Sequence, residues 1–83
     1  MIIIAKFGKP LGIKGSVSIH SFFSNKFDIL NYKEFYLENS QKVDLTIKKS
    51  SNKIVGHIKS IKSLDGIKEY TNKLIYIEKL IIL

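Results

Sequence analysis

Lys42-Val43-Asp44-Leu45-Thr46-Ile47-Lys48 is the stretch on which the fold turns. Val43, Leu45 and Ile47 point one way and Asp44, Thr46 and Lys48 the other. That period of two is the mark of a strand with one wet face. Working outward, residues 39–41 read as a turn and residues 34–38 as a short strand, with Phe35 and Leu37 opposite Tyr36. On the other side, residues 50–52 turn the chain into a strand over 53–61, where Gly56 predicts a bulge or a bend. Residues 16–22 alternate in the same way, with Val17 and Ile19 facing away from Ser18 and His20. Residues 2–7 are β-branched and aromatic and read as a first strand. Residues 24–33 are polar around the anchors Phe27, Leu30 and Tyr32, which predicts a structured loop with a single helical turn. The period changes over 63–72: Ser63 can cap a helix, Asp65 sits in its first turn, and Asn72 can take the left-handed conformation that ends it. Residues 73–79 form a last strand. Short strands with turns between them and one small helix predict an all-β fold, a small six-stranded antiparallel barrel with a helix near 63–72. Closure would remove the open edges that so short a sheet could not otherwise protect.

The chain has 83 residues, which predicts one domain over 1–83. Its 45% hydrophobic fraction argues against disorder. There is no cysteine, which excludes disulfides and thiolate metal sites. The longest apolar runs, Ile2 to Ala5 and Leu80 to Leu83, fall far short of the ~20 residues that span a bilayer. The first residues lack the basic region and apolar length of a signal peptide. A cytoplasmic domain with no membrane partner is the expectation. The formal charge is +7, and every basic residue is Lys. Such a charge suits a polyanion such as RNA. However, Ile, Lys, Asn, Phe and Tyr share AT-rich codons, so a low-GC genome would also produce it. The absence of Arg weakens bidentate base readout and leaves phosphate attraction.

Gly8-Lys9-Pro10-Leu11-Gly12-Ile13-Lys14-Gly15 is the strongest local feature. It is no phosphate loop. A Walker A loop needs four residues between its glycines, followed by Gly-Lys-Ser/Thr, and the dinucleotide fingerprint also fails on spacing. Its glycines instead permit a tight path, Pro10 stiffens the approach, and Lys9 and Lys14 carry charge on a fixed turn. His20 and His57 are the only histidines, and nothing in their spacing builds a metal site. The seven carboxylates are scattered, and there is no Gly-x-Ser-x-Gly elbow. No enzyme, cofactor or small-molecule substrate is therefore expected. Tyr36 and one of Phe22 or Phe23, here Phe23, lying among lysines, are candidate stacking contacts for RNA, although rings in a small barrel more often serve the core. This leaves an alternative reading, a general RNA-binding module of the translation type that uses lysines and exposed aromatics.

Both ends are apolar. Ile2, Ile3 and Ile4 are apolar on both sides of a strand, so the outer side needs a cover. Leu80-Ile81-Ile82-Leu83 either folds back or leads into a second domain, which makes Ile81, Ile82 and Leu83 candidate domain-interface residues.

Taken together, the segments resemble the opening of the ribosome maturation factor RimM family. That opening runs roughly as apolar-Gly-Lys-apolar-x-Lys-Pro-His-Gly-Ile/Leu-Lys/Arg-Gly-Glu-Val. Lys6, Lys9, Pro10, Gly12, Lys14, Gly15 and Val17 fall on matching positions. Ala5, Leu11 and Ser16 depart from the family's usual Gly, His and Glu. The resemblance implies a barrel like the second domain of translation elongation factors. It implies a non-catalytic role in maturing the bacterial small ribosomal subunit and processing its 16S rRNA, by docking on a ribosomal protein of the head and adjacent rRNA. Lys6, Lys9, Pro10, Leu11, Gly12, Lys14 and Gly15 would form the contact. It also implies a C-terminal barrel of the PRC type, absent here, with residues 80–83 as the start of the linker.

Overall fold

A computed structural model describes residues 1–12 and 15–81. Its strands are β1 (Ile2–Pro10), β2 (Ser16–Ser21), β3 (Phe35–Tyr36), β4 (Lys42–Val43), β5 (Leu45–Ser50), β6 (Lys53–Ile58) and β7 (Leu74–Ile77). A 3₁₀ turn covers Lys26–Asn31, and helix α1 covers Leu64–Lys68. The strands form one antiparallel sheet in the order β4-β3-β7-β1-β2-β6-β5.

The count is seven strands rather than six because the opening stretch divides at Asp44. Its first residues pair with β3 and its remainder with β6. β4 and β5 are the two ends of the strand order, yet a single residue joins them. The sheet's two edges are thus one piece of chain, which curls the sheet into a barrel. A strand serving both edges must bend between them. The Asp44 carbonyl, freed from the ladder, accepts from Lys59 N–H at 3.0 Å.

The alternation holds through the division: Val43 and Leu45 are buried, Ile47 is half-buried, and Asp44, Thr46 and Lys48 are exposed. Gly56 makes no bulge, since its register with Val17 and Ile47 is uninterrupted. It faces the interior, where an added Cβ would meet Leu45 Cδ1 at 2.8 Å and Ile19 Cδ1 at 2.9 Å. The space is filled by neighbours, so packing rather than backbone shape accounts for the glycine.

The irregularity falls in β1 instead. Its register against β7 slips between Ile3 and Ala5, which lets Ile4 and Ala5 both turn inward. Ile2 and Ile3 stay exposed. The core gathers Phe7, Val17, Ile29, Phe35, Ile58, Ile67, Ile75 and Ile77, with no buried polar side chain among the described residues.

Helix α1 is shorter than the sequence predicts. Ser63 Oγ caps it by accepting from Gly66 N–H at 3.1 Å, and Ile67 plugs the barrel. Residues 69–72 are turns, and Asn72 is left-handed at φ 70°. The Asn72 N–H donates to Phe7 O at 2.8 Å, which ties the end of the helix segment to β1.

Candidate functional site

Strand β1 ends in Lys9 and Pro10, and β2 starts at Ser16, so the glycine-rich loop joins two paired antiparallel strands. Leu11 N–H donates to Ser16 O at 2.8 Å across the loop's base. Gly15 is held by two independent demands. Its φ is +84°, and a Cβ there would lie 2.1 Å from Ile61 O and 3.2 Å from Ile58 O. Its own carbonyl accepts from Ile58 N–H at 3.2 Å, which clamps the loop to the end of β6. Gly12 has φ +78° but open space around it. One glycine is needed for close backbone approach and the other for conformation alone.

Lys9, Leu11 and Gly12 are exposed on this loop, and Pro10 is half-buried. Lys6 sits a little further along β1, opposite His20 on β2. Lys14 lies outside the described residues, as does Ile13. The loop therefore presents Lys9 and an exposed Leu11 on a scaffold stiffened at both ends.

The two candidate aromatics are occupied inside the protein. Phe23 is half-buried and stacks on Tyr32, with centroids 5.6 Å apart and planes at 13°. Tyr36 Oη donates to Glu78 Oε1 at 2.6 Å. That hydrogen bond to a carboxylate holds the phenol in its protonated form and, helped by desolvation and by the charges of Glu78 and Glu34, raises its pKa to about 12. Tyr32 and Tyr36 share a shallow groove with Lys33, Glu34, Glu78 and Lys79. The open ring is Phe22, 47% exposed, with His20 against its edge. Period-two reading found the strand of Phe22 but could not show which of two adjacent rings turns outward where the strand ends.

The apolar ends converge. Ile2 lies opposite Ile77 near the exit of β7, and Phe22 N–H donates to Ile4 O. Met1, Ile2, Ile3, Phe22, Leu80 and Ile81 are all exposed. The Ile81 N–H donates to Tyr32 Oη at 3.0 Å, which holds the tail against the barrel. Ile82 and Leu83 lie outside the described residues. Among the described residues, no three His, Cys, Asp or Glu side chains gather in a way that could hold a metal ion. No helix is long and apolar enough to cross a membrane.

A small closed antiparallel barrel with a glycine-clamped loop and shallow surface grooves is the class of domain these elements define. A family model for the RimM N-terminal domain matches residues 2–80, and the chain belongs to that family. It is 32% identical to the ribosome maturation factor RimM of Buchnera aphidicola, over 98% of this chain and 48% of that protein. It is also 32% identical to the RimM of Legionella pneumophila strain Corby, over 86% of this chain and 44% of the relative. The chain thus spans about half the length of the curated relatives it matches. In fold it is similar to the N-terminal domain of RimM from Thermus thermophilus, with TM-score 0.76, 17% identity and coverage of 93% of this chain and 87% of that one. A Pseudomonas aeruginosa protein described as a putative 16S ribosomal RNA processing protein RimM matches with TM-score 0.74 at 17% identity, over 93% of this chain and 50% of that one.

Proposed function

We propose that this chain is the N-terminal, non-catalytic docking domain of a ribosome maturation factor. It acts in the cytoplasm on the maturing small subunit and the processing of its 16S rRNA. The observation that carries the reading is the family match, which runs through the whole barrel and includes the clamped loop. Docking takes place at the head of the subunit, on a ribosomal protein and the rRNA beside it. The loop of Lys9, Pro10, Leu11, Gly12, Lys14 and Gly15, with Lys6 behind it, makes the contact. Leu11 supplies an apolar tip where the family's usual His would stand, and the lysines supply charge. A second barrel of the PRC type covers the apolar end formed by Met1, Ile2, Ile3, Phe22, Leu80 and Ile81, with the chain running on through Ile82 and Leu83. Support for that cover comes from the concentration of exposed apolar side chains at one end and from relatives about twice as long.

The test is co-sedimentation of the chain with immature small subunits. Lys9→Glu with Lys14→Glu should weaken it, because reversing two charges turns attraction to phosphate into repulsion. Unchanged co-sedimentation of that double variant would remove the loop from the interface.

A further inference from the structure

The chain's charges are sorted by strand. Residues 1–27 and 45–64 contain no Asp or Glu, yet they carry nine of the fourteen lysines. All seven carboxylates fall within 28–44 and 65–78. The acid-free segments supply β1, β2, β6 and β5, which are four consecutive neighbours in the sheet. The carboxylates sit on or beside the 3₁₀ turn, β3, β4, α1 and β7, with Asp44 at the boundary. Codon bias toward AT explains an abundance of lysine. It does not explain the exclusion of Asp and Glu from one wall of a barrel while all seven stand on the rest.

We propose that the outer face of the β1-β2-β6-β5 wall binds the phosphate backbone of double-stranded RNA without reading its sequence. Lys6 stands opposite His20, and Lys48 opposite Val55. Lys53 and His57 share the outward side of β6 with Val55. Between them the outward residues are small: Gly8, Ser16, Ser18 and Thr46. A Cβ at Gly8 would lie 2.2 Å from Ser18 Oγ, so the sheet surface is bare at that point. A rigid backbone can approach such a surface closely while long lysines reach it from the sides. The salt bridge found among the described residues, Lys42 to Glu34, lies on the other half. The wall's cations are therefore not engaged by carboxylates there.

The chemistry narrows the partner. With no Arg, bidentate recognition of guanine is missing, and lysine acts on phosphate as a point charge. One ring stands beside these rows, Phe22, just past the end of β2 and edge-on to His20; a lone ring at one end gives the successive bases of a single strand no row of stacking platforms. Lipid surfaces call for apolar side chains beside the charge. Here, among the described residues, all the exposed large apolar side chains except Leu11 gather at the end of the barrel that carries Met1, Phe22 and Leu80. The identification of the polyanion as RNA rests on the ribosome-associated reading above; the location of the face does not.

The test is a titration of the 83-residue chain against a fluorescent RNA hairpin between 50 and 200 mM salt. Log affinity should fall linearly with log salt, by about 0.9 per phosphate contacted. Lys48→Gln with Lys53→Gln should lower that slope by about two and weaken binding about thirtyfold at 0.15 M salt. Lys68→Gln with Lys79→Gln, on the acid-bearing half, should change neither. If the first pair does not fold by circular dichroism, Lys6→Gln alone should lower the slope by about one. Equal effects of the two pairs, or tighter binding to a single strand than to the hairpin, would overturn the proposal. So would equal competition by anionic vesicles. If the chain co-sediments with immature subunits and the Lys48/Lys53 variant does so unchanged, the wall assignment fails while the docking reading stands. If the variant loses the hairpin and the wild type never co-sediments, the wall assignment stands and the ribosomal reading fails.

Discussion

Replacing Gly15 by Ala should unfold the protein far more readily than replacing Gly12 by Ala, although both are left-handed glycines of one loop. At Gly12 the added methyl meets nothing within 4 Å, so the cost is conformational alone, about 1 kcal/mol. At Gly15 the same conformational cost applies and two others join it. The methyl would lie 2.1 Å from Ile61 O, which belongs to backbone and cannot rotate away. Relieving that overlap must displace residues 58–61 or the loop, at about 1–3 kcal/mol. Displacement also breaks the hydrogen bond from Ile58 N–H to Gly15 O, worth about 1 kcal/mol. The sum is at least about 3 kcal/mol, in a domain whose whole stability at this length is about 4–12 kcal/mol. For a domain of this size, 1 kcal/mol moves the melting temperature by about 4–8 °C. Thermal melts followed by circular dichroism should therefore show G12A lowered by about 4–8 °C and G15A by about 12–24 °C or not folded. Equal melting temperatures would refute the clamp at Gly15, and with it the view that the loop is fixed from both ends.

Three further outcomes follow from the geometry. Tyr36 should ionise near pH 12, seen as a late step in an ultraviolet titration. Because its folded pKa is raised, its contribution to stability is intact below about pH 10 and is lost as pH rises toward 12, and Tyr36→Phe should flatten that decline. Ser63→Ala removes the cap of α1 and should cost about 1 kcal/mol in urea denaturation, with the midpoint shifting and the slope unchanged. Phe7→Ala, at a fully buried ring edge-on to Tyr70, should cost about 3–5 kcal/mol, whereas Phe22→Ala should cost less than about 0.5 kcal/mol.

Local period and capping chemistry made most of the barrel readable. Val43, Leu45 and Ile47 announce a strand face, and Ser63 followed by Asp65 announces a helix start, because these signals act within a few residues. The division at Asp44 was hidden, since the two halves of an evenly alternating strand differ only in which distant strand each meets. At Gly56 the sequence predicts a bulge or a bend because a glycine's empty side can serve shape or packing, and only Leu45 and Ile19 decide which. The slip in β1 was equally silent: three isoleucines in a row carry no phase. In the candidate site, the glycines and Lys9 were legible as a loop. The hydrogen bond of Tyr36 to Glu78 joins residues 42 apart and has no local trace. The sorting of charge was present in the sequence all along. It became a surface only when the strand order placed β1, β2, β6 and β5 side by side.

The most direct measurement is lysine footprinting of the chain bound to purified immature small subunits, comparing amine acetylation with and without the subunit. The account predicts protection of Lys6, Lys9, Lys48 and Lys53, with Lys33, Lys42, Lys68 and Lys79 still reactive. Protection of the second set with the first left reactive would contradict it.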